Sequence, residues 1–115
     1  MKSTETTIDS LILRTNQWAK DVGIEDKGNP IKQWEQMRDE VNELGFELDL
    51  NEKGSHNIEN ICDELGDVFV TAIVEAMLLK VSPAYCLEIA VNKIEGRVGK
   101  GKMIDGNFVK NSKKA

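Results

Sequence analysis

The sequence predicts an all-α protein. Apolar residues recur at three- and four-residue spacing through four separate stretches, the signature of helices with one buried face. Only two prolines occur in 115 residues, and no run alternates apolar and polar side chains in the manner of a half-buried strand.

The first helix is expected from about Ile8 to Val22, with Ile8, Leu11, Ile12, Trp18, Ala19 and Val22 on one face. Gly23 is its stop, and Gly28-Asn29-Pro30 marks the turn that follows. The second is expected from about Ile31 to Asp49, on the stripe Ile31, Trp34, Met37, Val41, Leu44 and Leu48, with Gly45 weakening its last turn. A polar connection, Asn51 to His56, leads to a third helix from about Ile58 to Lys80. Ser82 then offers an N-cap and Pro83 a first helical position, so a fourth helix runs from about Pro83 to Arg97 and buries Leu87, Ala90, Val91 and Ile94. The expected organisation is a helical domain over 1–98. Beyond it, 99–115, rich in Gly and Lys and without periodicity, reads as a basic C-terminal tail or loop.

A chain of 115 residues suits one domain, near the size at which a partner subunit adds valuable burial. The net charge of −5 and a pI of about 4.9 argue against a nucleic-acid-binding surface, which needs clustered Lys and Arg. Cys62 and Cys86 fit no zinc spacing and read as reduced thiols. His56, the single histidine, lies in a loop pattern, which disfavours a histidine-based nucleophilic site. The N-terminus lacks a basic start followed by an apolar core, so no signal peptide is expected and the location reads as cytoplasmic. Val68 to Val81 is the most apolar run, but Glu75 and Lys80 break it and it falls short of the about 20 residues that span a bilayer. It reads as a buried helix, with no membrane role.

Two acidic clusters carry the most chemical information: Asp39-Glu40-x-x-Glu43 on the second helix and Glu64-x-x-Asp67 on the third. Positions three or four apart lie within about 60° of each other on a helix, so each cluster puts carboxylates along one edge of an apolar stripe. If the two helices pack antiparallel, these edges face each other. Converging carboxylates repel unless compensated, and Mg2+, with Mn2+ as substitute, suits an all-oxygen site. A di-iron centre would need Glu-x-x-His pairs, which neither cluster has. The bland alternative is a solvated helix face, with Arg38 paired to a neighbouring acid.

Lys93 and Arg97, four apart on the fourth helix, either stabilise its C-terminal end or hold phosphate oxygens, Arg97 in bidentate fashion. Lys113 and Lys114 read as solvated. Trp18 and Trp34 fall on apolar stripes and are expected in the core. One of them is also suited to stacking on a nucleobase, with Asn16 and Gln17 beside Trp18 to read base edges.

The acidic cluster on one helix, the Asp-Glu-Leu-Gly-Asp run from Asp63 to Asp67 on the next, Lys93-x-x-x-Arg97 and the Gly106-x-Phe108-Val109-Lys110 ending together resemble the MazG-like all-α nucleoside triphosphate pyrophosphohydrolases. The resemblance covers about Asn16 to Lys110, and the dimeric dUTPases and phosphoribosyl-ATP pyrophosphohydrolases share the same superfamily pattern. It implies a four-helix MazG-like bundle completed by oligomerisation. It implies Mg2+-dependent cleavage of a (deoxy)nucleoside triphosphate between the α and β phosphates. Carried onto this chain, the metal ligands are Glu40, Glu43, Glu64 and Asp67, with Lys93 and Arg97 on the substrate phosphates. Asp39 stands where the family motif has Glu, one methylene shorter, and Asp39 or Glu40 would orient or deprotonate the attacking water. A third helix apolar nearly all round further leads us to expect a homodimer or a homotetramer built from dimers. The alternative from another class is a non-catalytic helical interaction or scaffolding module.

Overall fold

Five helices and one β-hairpin make up the described residues, 6–55 and 57–111, of the computed structural model. The helices are α1 (Ile8–Asp21), α2 (Ile24–Lys27), α3 (Pro30–Glu52), α4 (Ile58–Leu79) and α5 (Pro83–Glu95); the strands are β1 (Gly101–Ile104) and β2 (Asn107–Lys110). His56, Lys113 and Lys114 lie outside the described residues. The chain divides between Val81 and Ser82 into two compact units. Among the described residues no helix is long and apolar enough to cross a membrane.

Each long helix begins where a short polar side chain can take up an otherwise unpaired amide. Thr7 forms a reciprocal capping box with Ser10, Asn29 caps α3 through the Lys32 amide with Pro30 behind it, Asn57 caps α4 through Asn60, and Ser82 caps α5 through Tyr85. Each such cap is worth about 1 kcal/mol. α4 closes on Lys80 in the left-handed conformation (φ 61°), with the Val81 amide returning to the Ala76 carbonyl.

Three local differences from the sequence reading have physical causes. Gly23 (φ 87°) does end α1, but the chain then winds one further turn, α2, before Pro30. Gly45 does not end α3, which continues past the expected Asp49 to Glu52. α5 ends at Glu95, with Gly96 as its cap, so Arg97 sits in the following turn and not on the helix.

The expected tail or loop after residue 98 is corrected: it contains an antiparallel hairpin, with Gly101 opposite Lys110 and Met103 opposite Phe108. Asp105 and Gly106, both at positive φ, make its two-residue turn. Gly101 is required there, because a Cβ would come within 2.5 Å of both the Phe108 ring and the Val109 carbonyl oxygen. Nearly every strand residue is exposed, so no buried face existed to leave an alternating pattern in the sequence.

Within the first unit the organising contact is the antiparallel pairing of α3 and α4, with α1 packed on α4 and α2 on α1. Gln33 Nε2 donates to the Thr71 carbonyl at 3.1 Å and fixes the register of the pair. Among the described residues Ala19, Val74 and Ala76 are the buried apolar side chains. Two core expectations fail: Trp18 and Trp34 are 48% and 51% exposed. In the second unit Leu87 and Ile94 are also exposed, while Ala90 and Val91 are half-buried. The stripes are helical as read, but these side chains do not form a core.

The junction between α2 and α3 is tight. A Cβ on Gly28 would stand 2.7 Å from the Ile24 carbonyl oxygen. Gly28→Ala should therefore destabilise the protein by about 1–3 kcal/mol, as overpacking does. Urea denaturation followed by circular dichroism checks this.

Candidate functional site

The antiparallel register set by Gln33 and Thr71 places Glu40 and Glu43 of α3 beside Glu64 of α4. Carboxylate oxygens of Glu40, Glu43 and Glu64 lie within 4.8 Å of one another. Those of Asp63, Glu64 and Asp67 do the same, so Glu64 belongs to both groups. Such distances suit oxygen donors gathered around hard cations, each offering one oxygen. Glu40, Glu64 and Asp67 are half-buried; Glu43 and Asp63 are exposed.

One oxygen of Glu64, Oε2, is shut off from solvent and has no hydrogen-bond partner among the described residues. A buried carboxylate oxygen without a donor is costly. A cation answers that deficit well, because it approaches oxygen at about 2.0–2.6 Å, closer than water does.

The electrostatics agree with crowding. Burial raises the pKa of Glu40 above the ordinary glutamate value, and the charges of Asp67, Glu43, Asp39 and Asp63 push it further. Glu64 is raised in the same way, first by burial and then by Glu43, Asp67, Asp63 and Glu40. Neither side chain is enclosed, so solvent screens part of this repulsion.

Asp39 is exposed and lies 3.7 Å from the Arg38 guanidinium, the local pairing that the bland reading anticipates. It lines an open depression of about 590 Å³ together with Asn42, Glu43, Phe46, Glu47 and Glu64. Asn42, Phe46, Glu47 and Asp63 were not among the sequence candidates. Asp63 had a signal, since it opens the Asp-Glu-Leu-Gly-Asp run. Phe46, an exposed ring one turn beyond Glu43, would have been found by following the helix rather than the motif.

The candidate base-reading residues do not line that depression. Gln17 Nε2 donates to Asp21 at 2.8 Å. Asn16 borders a separate hollow of about 400 Å³ with Lys20, Glu25, Met77, Leu78 and Lys80. Trp18 lines neither. In the second unit, Lys93 lies exposed in the last turn of α5 and Arg97 is half-buried in the turn beyond. Arg97 therefore lies just beyond the helix on which its spacing from Lys93 placed it.

Comparison with protein-family models, with curated proteins and with solved structures finds nothing that matches this chain.

Removing one of the crowded charges should stabilise the ion-free protein. Folding raises the proton affinity of Glu40 and Glu64, so stability is gained as pH falls toward the ordinary glutamate range and lost as pH rises through the raised values. Glu64→Gln is expected to raise Tm at neutral pH in chelator and to flatten this part of the pH profile. Differential scanning calorimetry from pH 4 to pH 8 checks both effects.

Proposed function

We propose that this protein hydrolyses a (deoxy)nucleoside triphosphate to the monophosphate and pyrophosphate in a Mg2+-dependent reaction. The observation that carries the reading is the convergence of Glu40, Glu43 and Glu64, with Asp67 on the adjoining turn and a partnerless Glu64 oxygen among them. The resemblance of the acidic motifs to the MazG-like hydrolases supplies the reaction class.

Mg2+, or Mn2+ in its place, when bound neutralises phosphate oxygens and acidifies a water. Glu40, Glu43, Glu64 and Asp67 would hold it, and Asp63 would add a further oxygen beside Glu64 and Asp67. Asp39, at the rim of the depression, orients the attacking water, and Glu40 beside it takes the water's proton. Water oxygen bonds to the α phosphorus, the bond from that phosphorus to the bridging oxygen breaks, and pyrophosphate leaves with the electron pair. Lys93 and Arg97 are assigned the remaining phosphate charge on the resemblance alone. Phe46, exposed at the same depression, offers a flat apolar face suited to a nucleobase.

Purified protein with Mg2+ is expected to release pyrophosphate and a monophosphate from at least one member of a nucleotide panel. Release of orthophosphate alone, or no turnover with Mg2+ or Mn2+, contradicts the proposal. Glu43→Gln and Asp67→Asn should each lower turnover beyond the roughly 10–100-fold that loss of an outer-shell partner costs, with an unchanged helical signal. The scaffolding reading is favoured instead if neither Mg2+ nor any nucleotide raises Tm, because a ligand specific to the folded state must do so.

A further inference from the structure

The hollow of about 400 Å³ at the other end of the first unit shares no lining residue with the acidic depression. α1 contributes Asn16 and Lys20, α2 contributes Glu25, and the end of α4 contributes Met77, Leu78 and Lys80. All six belong to the first unit. The volume falls among small-molecule sites, which run from about 300 to 1,000 Å³. Where the acidic depression gathers one sign of charge, this hollow sets both signs beside an apolar wall.

Three of its side chains are held in ways the fold itself does not require. Lys80 closes α4 at a φ of 61°, a position that helices ordinarily give to glycine because an L side chain is strained there. The other non-glycine residue at positive φ among the described residues is Asp105, whose short polar side chain suits a tight turn. Lysine brings no such local advantage, and strain of this kind collects at ligand sites. Asn16 is half-buried, and its Oδ1 is shut off from solvent without a hydrogen-bond partner among the described residues. An amide oxygen in that state calls for an N–H donor. Lys20 and Glu25 stand 3.9 Å apart with side chains 56% and 46% exposed, too long and too wet a pair to commit either group to the other.

These groups define one ligand chemistry. The ammonium groups of Lys20 and Lys80 call for an anion, Glu25 and Asn16 Oδ1 call for N–H donors, and half-buried Met77 and Leu78 call for an apolar surface. A phosphate dianion would meet the Glu25 carboxylate, and a bare cation would meet two ammonium groups. A zwitterion with adjacent charges and a greasy end meets neither.

We propose that this hollow binds a free α-amino acid with an apolar side chain. The ligand's carboxylate lies between Lys20 and Lys80, its ammonium donates to Glu25 and to Asn16 Oδ1, and its side chain lies on Met77 and Leu78. The last torsion of asparagine is soft, so turning the Asn16 amide brings its oxygen to that ammonium and ends the deficit. The site is independent of the carboxylate cluster and of any nucleotide chemistry there.

Isothermal titration calorimetry of the full chain in chelator, with L-leucine and L-methionine as probes, tests this apart from the metal site. Saturable binding of at least one is expected. The analogues isocaproate, which lacks the ammonium, and isoamylamine, which lacks the carboxylate, should bind about tenfold more weakly or worse, the usual cost of losing a charge-assisted hydrogen bond. Lys80→Gly should weaken amino-acid binding by about tenfold or more while Tm holds or rises, because glycine takes that backbone freely. Glu25→Gln should weaken it likewise. No saturable heat from either amino acid at millimolar concentration overturns the proposal. So does isocaproate binding as tightly as leucine, which would leave only an anion site, and so does unchanged affinity in both variants.

Discussion

The antiparallel contact of α3 with α4 is the constraint on which the rest of the first unit depends. It brings Glu40 and Glu43 beside Glu64, which in turn groups with Asp63 and Asp67. The Gln33–Thr71 hydrogen bond ties the register with one donor and one carbonyl. A slip of one turn would carry the acids apart by about 5.4 Å and dissolve the cluster. Packing of these two helices thus holds together side chains that repel.

Such a site carries its own instability. Glu40 and Glu64 have raised proton affinity because each is partly desolvated among like charges. One oxygen of Glu64 is also shut off from solvent without a partner among the described residues. Asp39 behaves differently: exposed and close to Arg38, it lies at the rim of the cluster and not within it.

Much of this was legible in the residues. The 3.6-residue period placed four helices with ends correct to a few residues, and the three- and four-residue spacing of the acids put them on the right edges. What the sequence concealed follows from what periodicity can report. It marks apolar faces, not what covers them, so Trp18 and Trp34 were read as core while both lie exposed. It is silent on a two-stranded ribbon with no buried face, so the hairpin over Gly101–Lys110 was missed although Asp105-Gly106 is a favoured turn pair. Spacing alone put Lys93 and Arg97 on one helix face, but Gly96 ends α5 between them. Phe46 escaped because its signal, an aromatic ring one turn from an acid, is meaningful only once the depression beside it is known.

The central claim is that carboxylates from two neighbouring helices converge tightly enough to capture a divalent cation. Electron paramagnetic resonance of Mn2+ titrated into the ion-free protein tests it most directly, because the free aquo ion's signal disappears on binding. Saturable loss of that signal is expected in the wild type, with strong weakening in Glu64→Gln, whose side chain belongs to both acidic groups. A wild-type titration indistinguishable from buffer, or equal uptake by the variant, contradicts it.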